Sequence, residues 1–190
     1  MANICAACGG PIAVKMGRRP TYCSNACRQR AYRARRAAAA PPHLAGEARW
    51  VRADGKRPLT VTGEAASSTN PATWATLEQV RAATAGDGYG VMCGGGLACV
   101  DLDDAIDAGG RLRQWARRIL DACPGAHVEY SVSGRGLHVF GAAAEAPGCR
   151  RGGVEVYSRH RFIRVTGRVF RPGRWDAPLD LAGVIALAAT

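Results

Sequence analysis

An α+β fold with an antiparallel-rich sheet is the class this sequence predicts, and two observations predict it. Strand-like segments outnumber helical ones from Trp50 onward. In the second half they follow one another across short Gly-containing turns, as hairpins do. The length, 190 residues, suits one medium domain with an appendage and is enough to bury a core. No internal repeat is visible.

Residues 1–40 read as the appendage, a zinc knuckle running into a basic helix. Cys5-Ala-Ala-Cys8 and Cys23-Ser-Asn-Ala-Cys27 are 14 residues apart, with Gly9-Gly10-Pro11 as a turn after the first pair. Two close thiolate pairs suit a tetrahedral Cys₄ site for Zn²⁺, structural because protein fills all four positions. Reduced thiols without metal are the alternative. A helix can run from Cys27 through Arg36 into Ala37–Ala40, where Pro41-Pro42 stops it. The stretch Tyr22-Cys23-Ser-Asn-Ala-Cys27-Arg28-Gln-Arg30-Ala-Tyr32-Arg33 resembles small zinc knuckles at the ends of bacterial and phage proteins.

Charge is concentrated in the same arm. Of the net +11, residues 1–36 hold +8: Lys15, Arg18, Arg19, Arg28, Arg30, Arg33, Arg35 and Arg36, with no acid. A basic arm on a nearly balanced domain points to a polyanionic partner, nucleic acid, whose phosphates the arginines would meet without reading sequence. A merely solvated helix face is the alternative. No apolar run approaches the roughly 20 residues that span a bilayer, and no signal-peptide core is present. The expectation is therefore no membrane and a cytoplasmic location, where paired cysteines mean metal rather than disulfide.

After a linker over 41–47, the main domain is expected over 48–182, with 183–190 as a helix end or tail. Trp50-Val51 starts a strand leading to Lys56-Arg57-Pro58, and a polar loop spans 63–70. A helix is expected over 76–85 with Leu77 and Val80 inward. Gly88–Met92 is a strand, and Gly94-Gly95-Gly96 turns into a second apolar run, 97–102. A helix over about 111–122 places Leu112, Trp115, Ile119 and Leu120 on one face. His127–Ser133 alternates, Val128, Tyr130 and Val132 against Glu129, Ser131 and Ser133. Gly134-Arg135-Gly136 turns into Leu137–Phe140, then come strands 154–157 and 162–166 and a short helix near 179–188. Cys93, Cys99, Cys123 and Cys149 read as small buried or half-buried thiols, Cys149 the more reactive beside two arginines.

Three polar spots interrupt these strands. Asp101 and Asp103, spaced i, i+2, share a face while Val100 and Leu102 point into the core. Crowded carboxylates call for a cation between them, and oxygen donors suit Mg²⁺ or Mn²⁺. The same acids could instead cap a following helix. Ser133-Gly134-Arg135-Gly136-Leu137-His138 offers backbone N–H groups beside Arg135 and His138, a combination that fits a triphosphate. Gly134 and Gly136 could equally be a plain hairpin turn, and His138 a hydrogen-bonded sheet histidine. Glu155, between Val154 and Val156, points away from the core; Arg159 or Arg161 could pair with it. Together these parts make a kit for two-metal phosphoryl transfer.

Val100-Asp-Leu-Asp-Asp104, Glu129-Tyr-Ser-Val-Ser-Gly-Arg-Gly-Leu-His138 and the run from Val154 to Gly167 resemble the three motifs of the archaeo-eukaryotic primase superfamily, in particular the bifunctional primase–polymerase (prim-pol) domains of phages and plasmids. Lys56-Arg57-Pro58 and Thr73-Trp74 sit where such domains carry similar residues. The resemblance spans roughly 48–182 and implies an RRM-like antiparallel-rich sheet with an additional α/β unit. It implies that Asp101, Asp103 and Glu155 bind two Mg²⁺ or Mn²⁺ ions and that His138 contacts the incoming triphosphate. Ser133, Gly134, Arg135 and Gly136 would support it, and Lys56 and Arg161 would meet phosphate or template. Val132 replaces a common proline and Arg135 a common lysine. The implied activity is that of a DNA primase/DNA polymerase in DNA replication, acting on single-stranded DNA template, primer and dNTPs or NTPs. The 190 residues hold no helicase motor, so a separate helicase is a further expected partner. The competing readings are a non-catalytic nucleic-acid-binding replication protein on the same fold, a zinc-dependent regulator with structural acids, and a two-metal nuclease.

Overall fold

The computed structural model describes residues 4–12, 20–38 and 42–189. The chain divides into two compact units, Met1–Ala39 and Ala40–Thr190. In the first, Ile4 and Pro11 bridge across the turn that carries Cys5 and Cys8. Helix α1 (Asn25–Ala38) starts inside the second cysteine pair, where the Ser24 hydroxyl accepts the Cys27 backbone N–H at 3.1 Å and so caps an orphan donor. Its buried core among the described residues is Cys5, Ile12 and Cys27, too little to hold such a segment without a staple. Lys15, Arg18, Arg19 and the Pro41 stop lie outside the described residues, as do the side chains of Arg33, Arg35 and Arg36.

In the second unit, part of the expected linker is helical: Pro42–Gly46 forms a single turn, α2. Proline suits a first helical turn, and Leu44 is buried while its carbonyl accepts the Trp50 indole N–H at 2.7 Å. β1 (Trp50–Asp54) and β2 (Arg57–Leu59) form a hairpin around Gly55-Lys56. α3 (Leu77–Ala82) opens on a capping box between Thr76 and Gln79. It stops three residues short of the expected end, because the nearly buried Arg52 takes the carbonyls of Val80 and Ala85 in place of further turns.

β3 (Gly88–Cys93) and β4 (Leu97–Leu102) join through the triple-glycine turn, as expected, and α4 (Gln114–Asp121) follows. β5 (His127–Tyr130) and β6 (Leu137–Ala142) flank a six-residue loop, so the alternation read through Ser133 ends three residues early. β7 (Cys149–Arg151), β8 (Val154–Tyr157), β9 (Arg161–Val165), β10 (Val169–Arg171) and α5 (Leu181–Leu187) complete the unit. β7 and β10 escape a sequence reading because they are three-residue edge strands; each carries arginine, two in β7 and one in β10, charge that also discourages edge-to-edge pairing.

The strands form two sheets, β2-β1-β3-β9 and β10-β5-β6-β4-β8-β7, with every ladder antiparallel. The α+β, strand-dominated architecture is therefore present. The larger sheet has two unlike faces. One presents Val128, Val139, Val100 and Val156 in register and packs them with Ile119 and Leu120 of α4 and Val184 of α5. The other is divided along its length. At one end His127, Phe140 and Cys99 lie in register and pack with the smaller sheet's Val91 and Ile163 around Trp50 and Trp175. At the other end the residues are charged.

Trp175 is the wedge at the dry end, with ring centroids 4.2 Å from Phe140 and 5.4 Å from His127, both stacked. Truncating a buried indole leaves a cavity on top of the lost transfer energy, so Trp175→Ala is expected to lower stability by about 3–5 kcal/mol. Urea unfolding followed by far-UV circular dichroism measures it; a loss under about 1 kcal/mol would mean that the sheets are joined by something else.

Candidate active site

The charged end is built by strand register. Glu129 of β5 lies opposite His138 of β6, His138 opposite Asp101 of β4, Asp101 opposite Glu155 of β8, and Glu155 opposite Arg150 of β7. Directly opposed residues share a face with Cβ atoms about 5 Å apart, so five strands deliver one continuous polar row. On β4, β5, β6 and β8 each member stands among apolar residues whose Val and Leu side chains fill the opposite core, while Arg150 comes from the exposed edge strand β7.

Between this row and the β1–β2 hairpin and β9 of the smaller sheet lies a cleft of about 450 Å³. Asp101, Asp103 and His138 line it from one side, and Lys56 and Arg161 from the other. Ser133 stands at its edge, so six of the residues singled out by sequence meet in one place. The Arg164 guanidinium holds the hairpin turn in position, donating to the Gly55 carbonyl at 2.7 Å and pairing with Asp87 at 2.8 Å. That pairing holds the Asp87 carboxyl below its ordinary range.

Asp101 is the electrostatic centre. Burial pushes its carboxyl above the ordinary range, with Asp103 and Glu155 adding repulsion while His138 and Arg161 oppose. His138 Nε2 lies 3.8 Å from Asp101 Oδ1. The other ring nitrogen is committed: Nδ1 lies 3.0 Å from the Arg164 carbonyl, which can only accept, so Nδ1 carries a proton and Nε2 faces the acids. Asp103 lies one residue past β4, its N–H bonded to the Gly153 carbonyl at 2.8 Å, and it is exposed.

Glu155 is placed differently from the pair. Arg150 Nε is 3.2 Å from Oε1, Arg161 is 3.5 Å from Oε2, and the Tyr157 hydroxyl donates to Oε2. Burial and that hydrogen bond push Tyr157 up to about 12, so it remains a donor. All three acids offer hard oxygen donors, and the repulsion felt by Asp101 is what a divalent cation relieves. The chemistry of the set fits Mg²⁺ or Mn²⁺, with Glu155 held by guanidinium groups where it does not meet the aspartates. Among the described residues, the cluster with ligand atoms already converged is the four cysteines, whose sulfurs lie within 4.8 Å of one another; these can hold one metal ion.

The glycine loop departs from expectation. Gly134, at φ +75°, and Gly136 do form the hairpin connection, but their N–H groups do not face a ligand. The Gly134 N–H donates to the Ser131 carbonyl, Arg135 N–H to the Ser133 hydroxyl and Gly136 N–H to the Ser131 hydroxyl. Two serines at i and i+2 therefore consume the donors that the loop was expected to offer. Arg135 pairs with Asp104 at 2.8 Å, on a side chain 64% exposed, outside the cleft.

Sequence reasoning passed over Arg150, Arg164, Tyr157 and Glu129. It gave His160 no role, yet His160 lines the cleft with φ +53°, uncommon for a residue with a side chain. Strand alternation puts Glu129 on the polar face, where it lies, but fully buried.

Residues 27–177 match the family of bifunctional DNA primase/polymerase N-terminal domains. The chain belongs to that family. It is also 32% identical over 135 residues to the DNA primase-polymerase of Nitratiruptor phage NrS-1, a stretch that covers 63% of this chain and 18% of the phage protein. The chain thus spans under a fifth of that relative's length. No helix among the described residues is long and apolar enough to cross a membrane.

Proposed function

We propose that residues 48–182 form a template-dependent nucleotidyltransferase, a DNA primase/DNA polymerase that joins dNTPs or NTPs on a single-stranded DNA template by two-metal-ion phosphoryl transfer. The observation that carries this reading is the opposition of His138, Asp101 and Glu155 on adjacent strands, with His138, Asp101 and Asp103 lining a cleft walled by Lys56 and Arg161 and Glu155 buried beside it on Arg150 and Arg161. Membership of the prim-pol family supports it. So does strand order: β5-β6-β4-β8 occur in the chain as second, third, first and fourth, the order of an RRM-like sheet, with α4 in the first crossover.

Asp101, Asp103 and Glu155 would hold the two Mg²⁺ or Mn²⁺ ions, which when bound lower the pKa of a 3′-hydroxyl and neutralise charge on the triphosphate and the leaving pyrophosphate. The remaining work falls to the chain's own groups. Lys56 and Arg161 screen the triphosphate from opposite ends of the smaller sheet. His138, its Nδ1–H fixed on the Arg164 carbonyl, presents Nε2 beside Asp101, where in its protonated form it donates to a phosphate oxygen. Ser133 offers a hydroxyl at the cleft edge. Arg135 and the glycine N–H groups, engaged elsewhere, contribute only if the loop opens. Cys5, Cys8, Cys23 and Cys27 would hold a structural Zn²⁺, and the arginines of the arm would bind nucleic-acid phosphates.

Primer extension tests the reading. With labelled primer, template, four dNTPs and Mn²⁺ or Mg²⁺, the wild type extends the primer, and His138→Ala raises the KM for dNTP by about tenfold or more. Omitting primer and adding NTPs then tests priming. Binding of single-stranded DNA without extension under either metal would instead make the chain a nucleic-acid-binding replication protein.

A further inference from the structure

Glu129 takes no part in the mechanism above, yet it is the most heavily engaged acid among the described residues. Its side chain is wholly buried, beside His127, which is wholly buried too. Oε2 accepts from the Thr166 backbone N–H at 2.8 Å and the Gly167 backbone N–H at 3.1 Å, with the Thr166 hydroxyl oxygen 3.3 Å away. Oε1 lies 3.2 Å from His127 Nε2. A buried carboxylate is costly unless its oxygens are satisfied, and here three donors converge on it, the two backbone N–H groups and His127 Nε2. Burial alone would raise its carboxyl; the bonds to His127, Thr166 and Gly167 outweigh that and hold it below its ordinary range.

The partners matter more than their number. Glu129 belongs to the larger sheet, while Thr166 and Gly167 are the corner where β9 of the smaller sheet turns toward β10. Two residues before that corner, the Arg164 carbonyl accepts from His138 Nδ1. His138 is itself the residue opposite Glu129 on β6. The carboxylate and the imidazole therefore sit side by side on one sheet and grip the same short piece of the other, 164–167. The grip is reinforced by the Thr166 hydroxyl, which donates to the Tyr130 carbonyl at 2.7 Å.

We propose that Glu129 is the positioning residue of His138: by clamping the Thr166–Gly167 corner across the two sheets it holds the Arg164 carbonyl where it fixes the ring orientation and the protonated nitrogen of His138. The clamp is a property of the fold, but its importance for nucleotide binding rests on the reading of the cleft given above. The same clamp holds β9, and with it Arg161 and Arg164, at a constant distance from Asp101. Loss of the clamp frees the ring to turn and exchange which nitrogen carries the proton, and a displacement of the order of 1 Å in such a group can cost up to about 10²-fold in rate.

Three substitutions separate positioning from mere stability. Glu129→Gln keeps the length and one carbonyl oxygen for the two backbone N–H groups. Glu129→Asp keeps the charge but is too short to reach them. Glu129→Ala removes the clamp. In ¹⁵N-histidine NMR of the full chain, with the His138 signals identified by their loss in His138→Ala, the wild type shows Nδ1 protonated. Ala and Asp are expected to give mixed tautomers and a KM for dNTP raised about tenfold or more, with kcat changed less; Gln restores both. If Ala fails to fold, Asp takes its place. A folded Ala or Asp variant with the wild-type His138 signature overturns the proposal, as does a Gln variant that fails to restore it. If the wild type extends no primer the polymerase reading falls, and the His138 tautomer still decides the clamp.

Discussion

Asp101→Asn is expected to abolish primer extension, by about a thousandfold or more, and at the same time to make the metal-free protein more stable at pH 7. The two effects have one cause. Asn is isosteric with Asp and leaves Val100, Leu102 and the α4 core untouched, so the substitution removes the charge and exchanges one acceptor oxygen for an NH2 donor without changing shape. The Asp101 carboxyl is raised, first by burial and then by Asp103 and Glu155, net of the attraction of His138 and Arg161. A carboxyl raised by the fold favours folding while it is protonated. That favourable contribution is complete below the unfolded-state pKa and is lost as pH climbs through the raised value, leaving the cost of the ionised form above it. Asn removes the cost.

The pH dependence checks the sign. Chemical denaturation of wild type and Asp101→Asn should give stabilities that converge as pH falls toward 4 and diverge toward 7, with the variant higher. Mn²⁺ should raise the melting temperature of the wild type and leave that of the variant nearly unchanged, because binding to the native state alone stabilises it. A variant less stable than wild type at pH 7 without metal would mean that the Asp101–His138 attraction outweighs burial. Full extension activity in the variant would remove Asp101 from the site.

How much of this was legible in the sequence depends on how local the signal is. β3, β4, β8 and β9 announced themselves because alternation or a short apolar run bounded by glycine is a local pattern. The acids of the row were visible for the same reason: Asp101 and Glu155 interrupt apolar strands, and the strand period alone sends them to the face opposite Val100 and Val156. That they would be direct neighbours was not legible, since it depends on the register of three strands drawn from distant parts of the chain. Glu129 was harder still. Its partners are backbone N–H groups 37 and 38 residues away, which carry no side-chain signature, so a buried clamp and a solvated surface glutamate look the same in sequence. The loop over 131–136 misled for the opposite reason: glycines advertise accessible N–H groups, and only the structure reveals that Ser131 and Ser133 have taken them.

Removing metal from the first unit is expected to unfold it while leaving the second intact. Its described core of Cys5, Ile12 and Cys27 buries too little apolar surface to offset chain entropy, and a metal on the four converged sulfurs, which can hold one, is expected to supply what packing does not. The thiols are unevenly poised for that role. The Cys23 backbone N–H, chief among several, holds Cys5 down to about 6, while hydrogen bonds among the neighbouring sulfurs, led by Cys27, push Cys23 up to about 12. A cation that takes all four as thiolates must therefore displace protons, chiefly from Cys23, and its affinity falls as pH falls. The full-length protein should carry one zinc per chain by elemental analysis, and none in a Cys5→Ser, Cys27→Ser double variant. In that variant, or with chelator at pH 6, amide exchange should lose its protection over 23–38 and keep it across β3, β4 and β6, whose strands lie in a separate compact unit with its own core. Protection that survives chelation in 23–38 would mean that α1 is held by contacts other than a metal, and the four cysteines would then be plain reduced thiols.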